Sequence, residues 1–107
     1  MLKNKERDRS VYLPEIAEVV STQQLTAMEK YIELKLKKPG DFNFSPGQFI
    51  QISIFGIGEA PISISSSPFN KNRIGICVRK AGDVTAAIHK LEKGSFLGIR
   101  GPLGNGF

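Results

Sequence analysis

Three short stretches of this 107-residue chain carry residue types and spacings suited to chemistry. In the first, Gly82-Asp83-Val84-Thr85 opens an apolar pattern at helical spacing, Val84, Ile88 and Leu91. A backbone entering a helix leaves its first N–H groups unpaired and the helix dipole adds partial positive charge, so an anion can be held there. Gly82 permits close backbone approach and Thr85 adds a hydroxyl donor, so a pyrophosphate fits provided Asp83 points away. The second stretch, Ala60-Pro61-Ile62-Ser63-Ile64-Ser65-Ser66-Ser67-Pro68, sets hydroxyls beside small apolar residues. Such a strand can present backbone donors and the Ser63 hydroxyl to a flat heteroaromatic ring while Ile62 packs on it. The third, Cys77-Val78-Arg79-Lys80, ends in two cations next to Gly82. They can offset a diphosphate, Arg79 by a bidentate contact and Lys80 as a point charge. Each stretch alone also reads without a ligand: a capped helix, a strand whose serines face water, an exposed strand end.

The elements that must position these stretches are mostly strands. Residues 16–20 and 28–36 favour extended structure, and in the second run Ile32, Leu34 and Leu36 alternate with Tyr31, Glu33, Lys35 and Lys37. That two-residue period turns one apolar face inward and predicts a hairpin around residues 23–27. Pro39-Gly40-Asp41 and Ser45-Pro46-Gly47 punctuate the next connection. Residues 49–54 give a third strand with Ile50, Ile52 and Ile54 on one face, and after Gly56 and Gly58 residues 61–66 give a fourth. Asn70-Lys71-Asn72 reads as a turn, and residues 73–79 as a fifth strand with Ile74, Ile76 and Val78 inward. The period then changes: Asp83 is the expected N-cap of one short helix, and Lys90, Lys93 and Gly94 are its stop signals. Residues 96–100 form a sixth strand before the loop Gly101-Pro102-Leu103-Gly104-Asn105-Gly106-Phe107. The predicted fold is all-β, a six-stranded antiparallel Greek-key barrel with one short helix between the last two strands.

Composition narrows the function. The length suits one modest core, with residues 1–11 as a flexible basic tail and 12–107 as the barrel. No apolar run approaches the roughly 20 residues that span a bilayer, and the first ten residues lack a secretory apolar centre, so the expected location is cytoplasmic. A lone cysteine, Cys77, and a lone histidine, His89, supply no metal-ligand set and no disulfide framework. Cys77 alternates with Ile76 and Val78 on a strand and reads as structural; His89 reads as solvent-facing, and no catalytic side chain is assigned. The net charge of +5 is spread thinly and is not interleaved with stacking aromatics, which argues against nucleic acid.

Taken in order, these segments resemble the flavin-binding domain of the ferredoxin-NADP reductase superfamily. Phe44-Ser45-Pro46-Gly47-Gln48-Phe49-Ile50 resembles the family's approach to its third strand, and residues 60–66 align with its Arg-x-Tyr-Ser flavin motif. Gly82-Asp83-Val84-Thr85 matches its Gly-x-x-Ser/Thr phosphate motif, and Lys93-Gly94 through Gly101-Pro102-Leu103-Gly104 its closing strand and Gly-Pro-x-Gly turn. Within it the chain is most similar to electron-transfer subunits such as the sulfhydrogenase gamma subunit and those of anaerobic sulfite reductase and dihydroorotate dehydrogenase. Tyr12-Leu13-Pro14 followed by Ile16-Ala17-Glu18-Val19 resembles the start of the first two. Two positions depart from the pattern: the family's pyrophosphate-binding arginine is Ala60 here, and its ring-stacking tyrosine is Ile62.

The resemblance implies FAD lined by Ala60, Pro61, Ile62, Ser63, Ile64, Cys77, Val78, Arg79, Gly82, Val84 and Thr85, with Ser63 and Ile64 nearest its reactive edge. It implies an NAD(P)H-linked electron-transfer oxidoreductase in which hydride passes between nicotinamide and flavin N5, and single electrons then pass to an iron–sulfur centre. The nicotinamide-binding domain and the cluster would be carried by absent segments or a partner subunit, which makes this chain part of a longer protein. The oligomeric state stays open. The alternative left standing by the residues alone is a cofactor-free barrel that binds protein or nucleic acid.

Overall fold

In the computed structural model the described residues are 15–36, 45, 47–66 and 73–104. The expected tail over 1–11, Tyr12-Leu13-Pro14, and the turns at Pro39-Gly40-Asp41 and Asn70-Lys71-Asn72 lie outside the described residues. Six strands and one helix follow in chain order: β1 (Glu15–Gln24), β2 (Glu29–Leu36), β3 (Phe49–Ile54), β4 (Gly58–Ser63), β5 (Arg73–Arg79), α1 (Asp83–His89) and β6 (Phe96–Leu103). They form one antiparallel sheet in the order β4-β3-β6-β1-β2-β5, so β6 inserts between β3 and β1 as a Greek-key path requires.

The alternating apolar residues point inward as their spacing predicts. Ile32 and Leu34 of β2, Ile50 and Ile52 of β3, Ile74, Ile76 and Val78 of β5, and Leu97 and Ile99 of β6 are at most 1 % exposed. Ile88 joins them from α1 and stoppers the core at one end. Each such side chain contributes about 1.5–3 kcal/mol by leaving water, an upper figure because unfolded chains already bury some surface.

Several boundaries differ from the sequence reading. β1 continues to Gln24 because Ser21, Thr22, Gln23 and Gln24 keep their ladder to β2 although they are exposed, a polar ribbon without alternation. β4 starts at Gly58 and stops at Ser63: Ile57 N donates to Ile54 O at 3.0 Å, and Gly56 at φ 83° closes the β3–β4 turn. β6 runs past Gly101 and Pro102 to Leu103, paired there with Phe49. Among the described residues no helix is long and apolar enough to cross a membrane.

The sheet is not closed by hydrogen bonds along its length. Its edge strands, β4 and β5, meet at a seam joined near one end. Ile64 bridges Ile76, Ser65 N and Ser66 N donate to Gly75 O at 2.8 and 3.1 Å, and Gly75 N donates to Ser66 Oγ at 2.8 Å. Towards the other end the edges part, and α1 packs against β3, β4 and β5 there.

Candidate functional site

The turn into α1 is built by Thr85. Its Oγ1 accepts N–H bonds from Ala81 at 2.8 Å and Gly82 at 2.9 Å and donates to Gly82 O at 3.1 Å. The N-cap is therefore Gly82 and not Asp83, which becomes the first residue of the helix. A residue three positions into the helix reaches back to hold the turn, so the acidic side chain is not needed as a cap. In the structure the Thr85 hydroxyl serves this turn, and the further donors of the helix start are its backbone groups. The first intrahelical acceptor bond goes from Ala86 N to Gly82 O at 2.8 Å, and the amides of Asp83, Val84 and Thr85 precede it.

Gly82 has φ −167° and ψ −169°, extended backbone open to any residue, and a Cβ built there meets nothing within 4 Å. Neither backbone nor neighbours call for glycine. Its missing side chain leaves free space at the mouth of the helix, where a ligand can approach the amides closely.

β5 brings the cations to this mouth. Arg79 and Lys80 are exposed, and Arg79 makes no ion pair among the described residues. Val78 is fully buried, and its carbonyl lies 2.7 Å from His89 Nε2. His89 thus leans on β5 and is half-buried, where its helical position suggested a solvent-facing side chain. Cys77 is half-buried on the other face, level with Tyr31. Burial, with Glu33 and Cys77 nearby, pushes the Tyr31 phenol above its ordinary range.

β4 supplies the opposite wall. Pro61 and Ser63 are exposed, whereas Ala60 is half-buried and Ile62, at 8 % exposure, belongs to the core. Continuing the register set by Ile64 and Ile76 would place Ile62 level with Val78, but no ladder forms between the two strands among the described residues. The structure thus brings Ala60 to Ile64 and Cys77 to Arg79 to the two sides of one seam, with Gly82, Val84 and Thr85 at its parted end. Val84 packs close to the start of β4 from the helix, since a Cβ on Gly58 would come within 3.3 Å of its Cγ2.

Sequence reasoning missed three contacts that support the site. Lys30 Nζ donates to the carbonyls of His89 at 2.8 Å and Leu91 at 3.1 Å, capping the far end of α1 with a cation. Glu59 accepts from Ser53 Oγ at 2.6 Å and pairs with Arg100 at 2.6 Å; these two partners hold its carboxyl below the usual glutamate range. Gln48 joins the turn before β3 to the end of β6. None has a local signature, because Lys30, Glu59 and Gln48 each reach a partner at least 41 positions away. A groove of about 690 Å³ also runs along α1 between Asp83 and Lys90, walled by Ile54 and Ile57. It touches the sequence-predicted region only at its edge.

Residues 16–107 match the family described as the oxidoreductase FAD-binding domain. The sulfhydrogenase 1 gamma subunit of Pyrococcus furiosus is 45 % identical over 92 residues, covering 83 % of this chain and 32 % of that subunit. A probable dihydroorotate dehydrogenase B (NAD(+)) electron transfer subunit of Pyrococcus abyssi is 43 % identical over 65 residues, 61 % of this chain and 24 % of that one. The chain therefore spans at most about a third of the length of these curated relatives. Among solved structures, the cytochrome b5 reductase domain of Ulva prolifera nitrate reductase superposes with a TM-score of 0.74 at 13 % identity, covering 88 % of this chain and 41 % of that one. The ferredoxin reductase in carbazole 1,9a-dioxygenase gives 0.75 at 24 % identity, over 85 % and 29 %. At such identities the superpositions show the shared fold.

Proposed function

The chain belongs to the oxidoreductase FAD-binding domain family, and from that premise we propose that the β4–β5 seam and the turn into α1 hold the FAD of a longer, NAD(P)H-linked electron-transfer oxidoreductase. The barrel, taken as residues 12–107, is its flavin domain. The observation that carries the assignment is convergence: two strand edges and one helix start, separated in sequence, open onto a single seam.

The donor set fits the group. The free space at Gly82 admits a phosphate to the amides of Asp83 and Val84, and Arg79 and Lys80 stand beside it to offset charge. Ser63 offers an exposed hydroxyl on β4, and Ile64 an apolar side chain where the seam closes. Val78 and Ile62 provide a rigid floor because both are packed in the core. When bound, FAD supplies the exchange of electron pairs and single electrons, which no side chain here can perform. The chain's own residues bind, orient and shield. The electron donor is a nicotinamide carried by a further domain, the acceptor an iron–sulfur centre in another segment or partner subunit, and the expected location is the cytoplasm.

The test is a titration of the purified chain with FAD, followed by visible absorbance and by quenching of flavin fluorescence. Saturable one-to-one binding is expected. Absence of FAD binding together with a steeply salt-dependent affinity for RNA would replace this reading with that of a cofactor-free barrel.

A further inference from the structure

Gln48 and Phe49 sit between two strand ends. On one side Phe49 pairs with Ser63 and Gln48 O accepts from Ile64 N at 3.3 Å. On the other side Phe49 pairs with Leu103 and Gln48 Nε2 donates to Gly104 O at 3.0 Å. The side-chain oxygen is also used, accepting from Ser45 N at 2.8 Å. Gly104 lies so close on the aromatic ring that a Cβ there would come within 3.1 Å of Phe49 Cε1. One dipeptide therefore registers the end of β4 against the last turn described for the barrel.

We propose that Gln48 is a positioning residue for the flavin edge: through its carbonyl it holds Ile64, through its carboxamide it holds Gly104, and it fixes the angle between them. The inference rests on the seam holding the flavin, because Ser63 and Ile64 matter as its edge only on that reading. The chemistry singles out glutamine. Its carboxamide donates to one carbonyl while accepting from one amide, whereas glutamate keeps the acceptor and loses the donor. Ile64 and Gly104 are thereby held in one frame through Gln48, whose carboxamide is itself fixed by Ser45 N, a tie of three hydrogen bonds. Small displacements of reacting groups cost large factors in rate, so such a tie has functional weight even though its side-chain bonds are exposed.

The test compares Gln48→Ala and Gln48→Glu with the parent chain, using amide hydrogen exchange without FAD and the visible spectrum with FAD. In both variants exchange at Ile64 and around Gly104 is expected to rise together by about tenfold, with the Ile32 and Leu34 amides unchanged. The band shape of bound flavin should change in both. Exchange at Ile64 equal to the parent's, or an unchanged flavin spectrum in both variants, would overturn the proposal. Failure of the parent chain to bind FAD sinks the flavin assignment instead, and the exchange data then still read the tie.

Discussion

Replacing Thr85 with valine separates two roles that the sequence alone ran together. Valine keeps the shape and removes the hydroxyl, which in the structure serves Ala81 N, Gly82 N and Gly82 O. Ala81 and Gly82 are exposed, so water takes over their amides and the loss stays near that of a removed helix cap, about 1–2 kcal/mol. For a domain of this size, about 4–8 °C of Tm per kcal/mol turns that into a fall of roughly 5–15 °C. A loosened turn must also be reordered before the amides of Asp83 and Val84 can converge on a phosphate. The same free energy then reappears as roughly 5–30-fold weaker FAD binding. Thermal melting by circular dichroism and FAD titration of the same samples read both effects, and Thr85→Ser should restore both. If the hydroxyl bound phosphate directly, affinity would fall with little change in Tm. A drop in Tm with unaltered FAD affinity would refute the phosphate role of the turn itself.

Gly82→Ala places a methyl group in free space, so Tm should change by no more than a few degrees while FAD titration shows weaker binding. Gly75→Ala pushes a Cβ into the Tyr31 hydroxyl, with Cζ only 2.7 Å away. It should cost about 1–3 kcal/mol in denaturant melts, and that cost should shrink in a Tyr31→Ala background, a coupling measurable as a double-mutant cycle. Glu59, held below the ordinary glutamate range by Ser53 and Arg100, gives up its proton more readily in the folded chain than in the unfolded one. Its contribution is full above that range and is lost as pH falls through the lowered value, so the Tm gap between the parent and Glu59→Gln should close on acidification.

What was legible in the sequence was whatever depends on near neighbours. The alternation at Ile32, Leu34 and Leu36, and again at Ile74, Ile76 and Val78, located β2 and β5 because a strand's buried face is written at a period of two. The second half of β1 carries no such pattern, since Ser21 to Gln24 are held by backbone pairing without a buried face. The cap at Gly82 was missed because Thr85 reaches backwards from inside the helix, a geometry that Asp83, the better cap by type, conceals. The supporting contacts were beyond reach for a different reason. Gln48 and Gly104 lie 56 positions apart, Lys30 and His89 59, and Glu59 and Arg100 41. Pairs of that separation are set by strand order, which no local spacing encodes.

Strand order also decides which cation can serve a diphosphate in a chain that has Ala60 where the resembled pattern has arginine. Arg100 is near β4, but its guanidinium already grips Glu59 at 2.6 Å on a carboxylate that also holds Ser53. Recruiting it to a phosphate would require giving up or sharing that ion pair. Arg79 has no such commitment among the described residues and ends the strand that leads through Lys80 into Gly82. On the flavin reading, the charge of the cofactor is therefore met, among the described residues, from the β5 side of the seam, by one continuous run from Arg79 to Thr85. β4 contributes the hydroxyl of Ser63 and apolar surface. If that turn grips the diphosphate, affinity follows its rigidity, and Thr85, whose hydroxyl ties Ala81 and Gly82 together, is the residue whose replacement should weaken cofactor retention most.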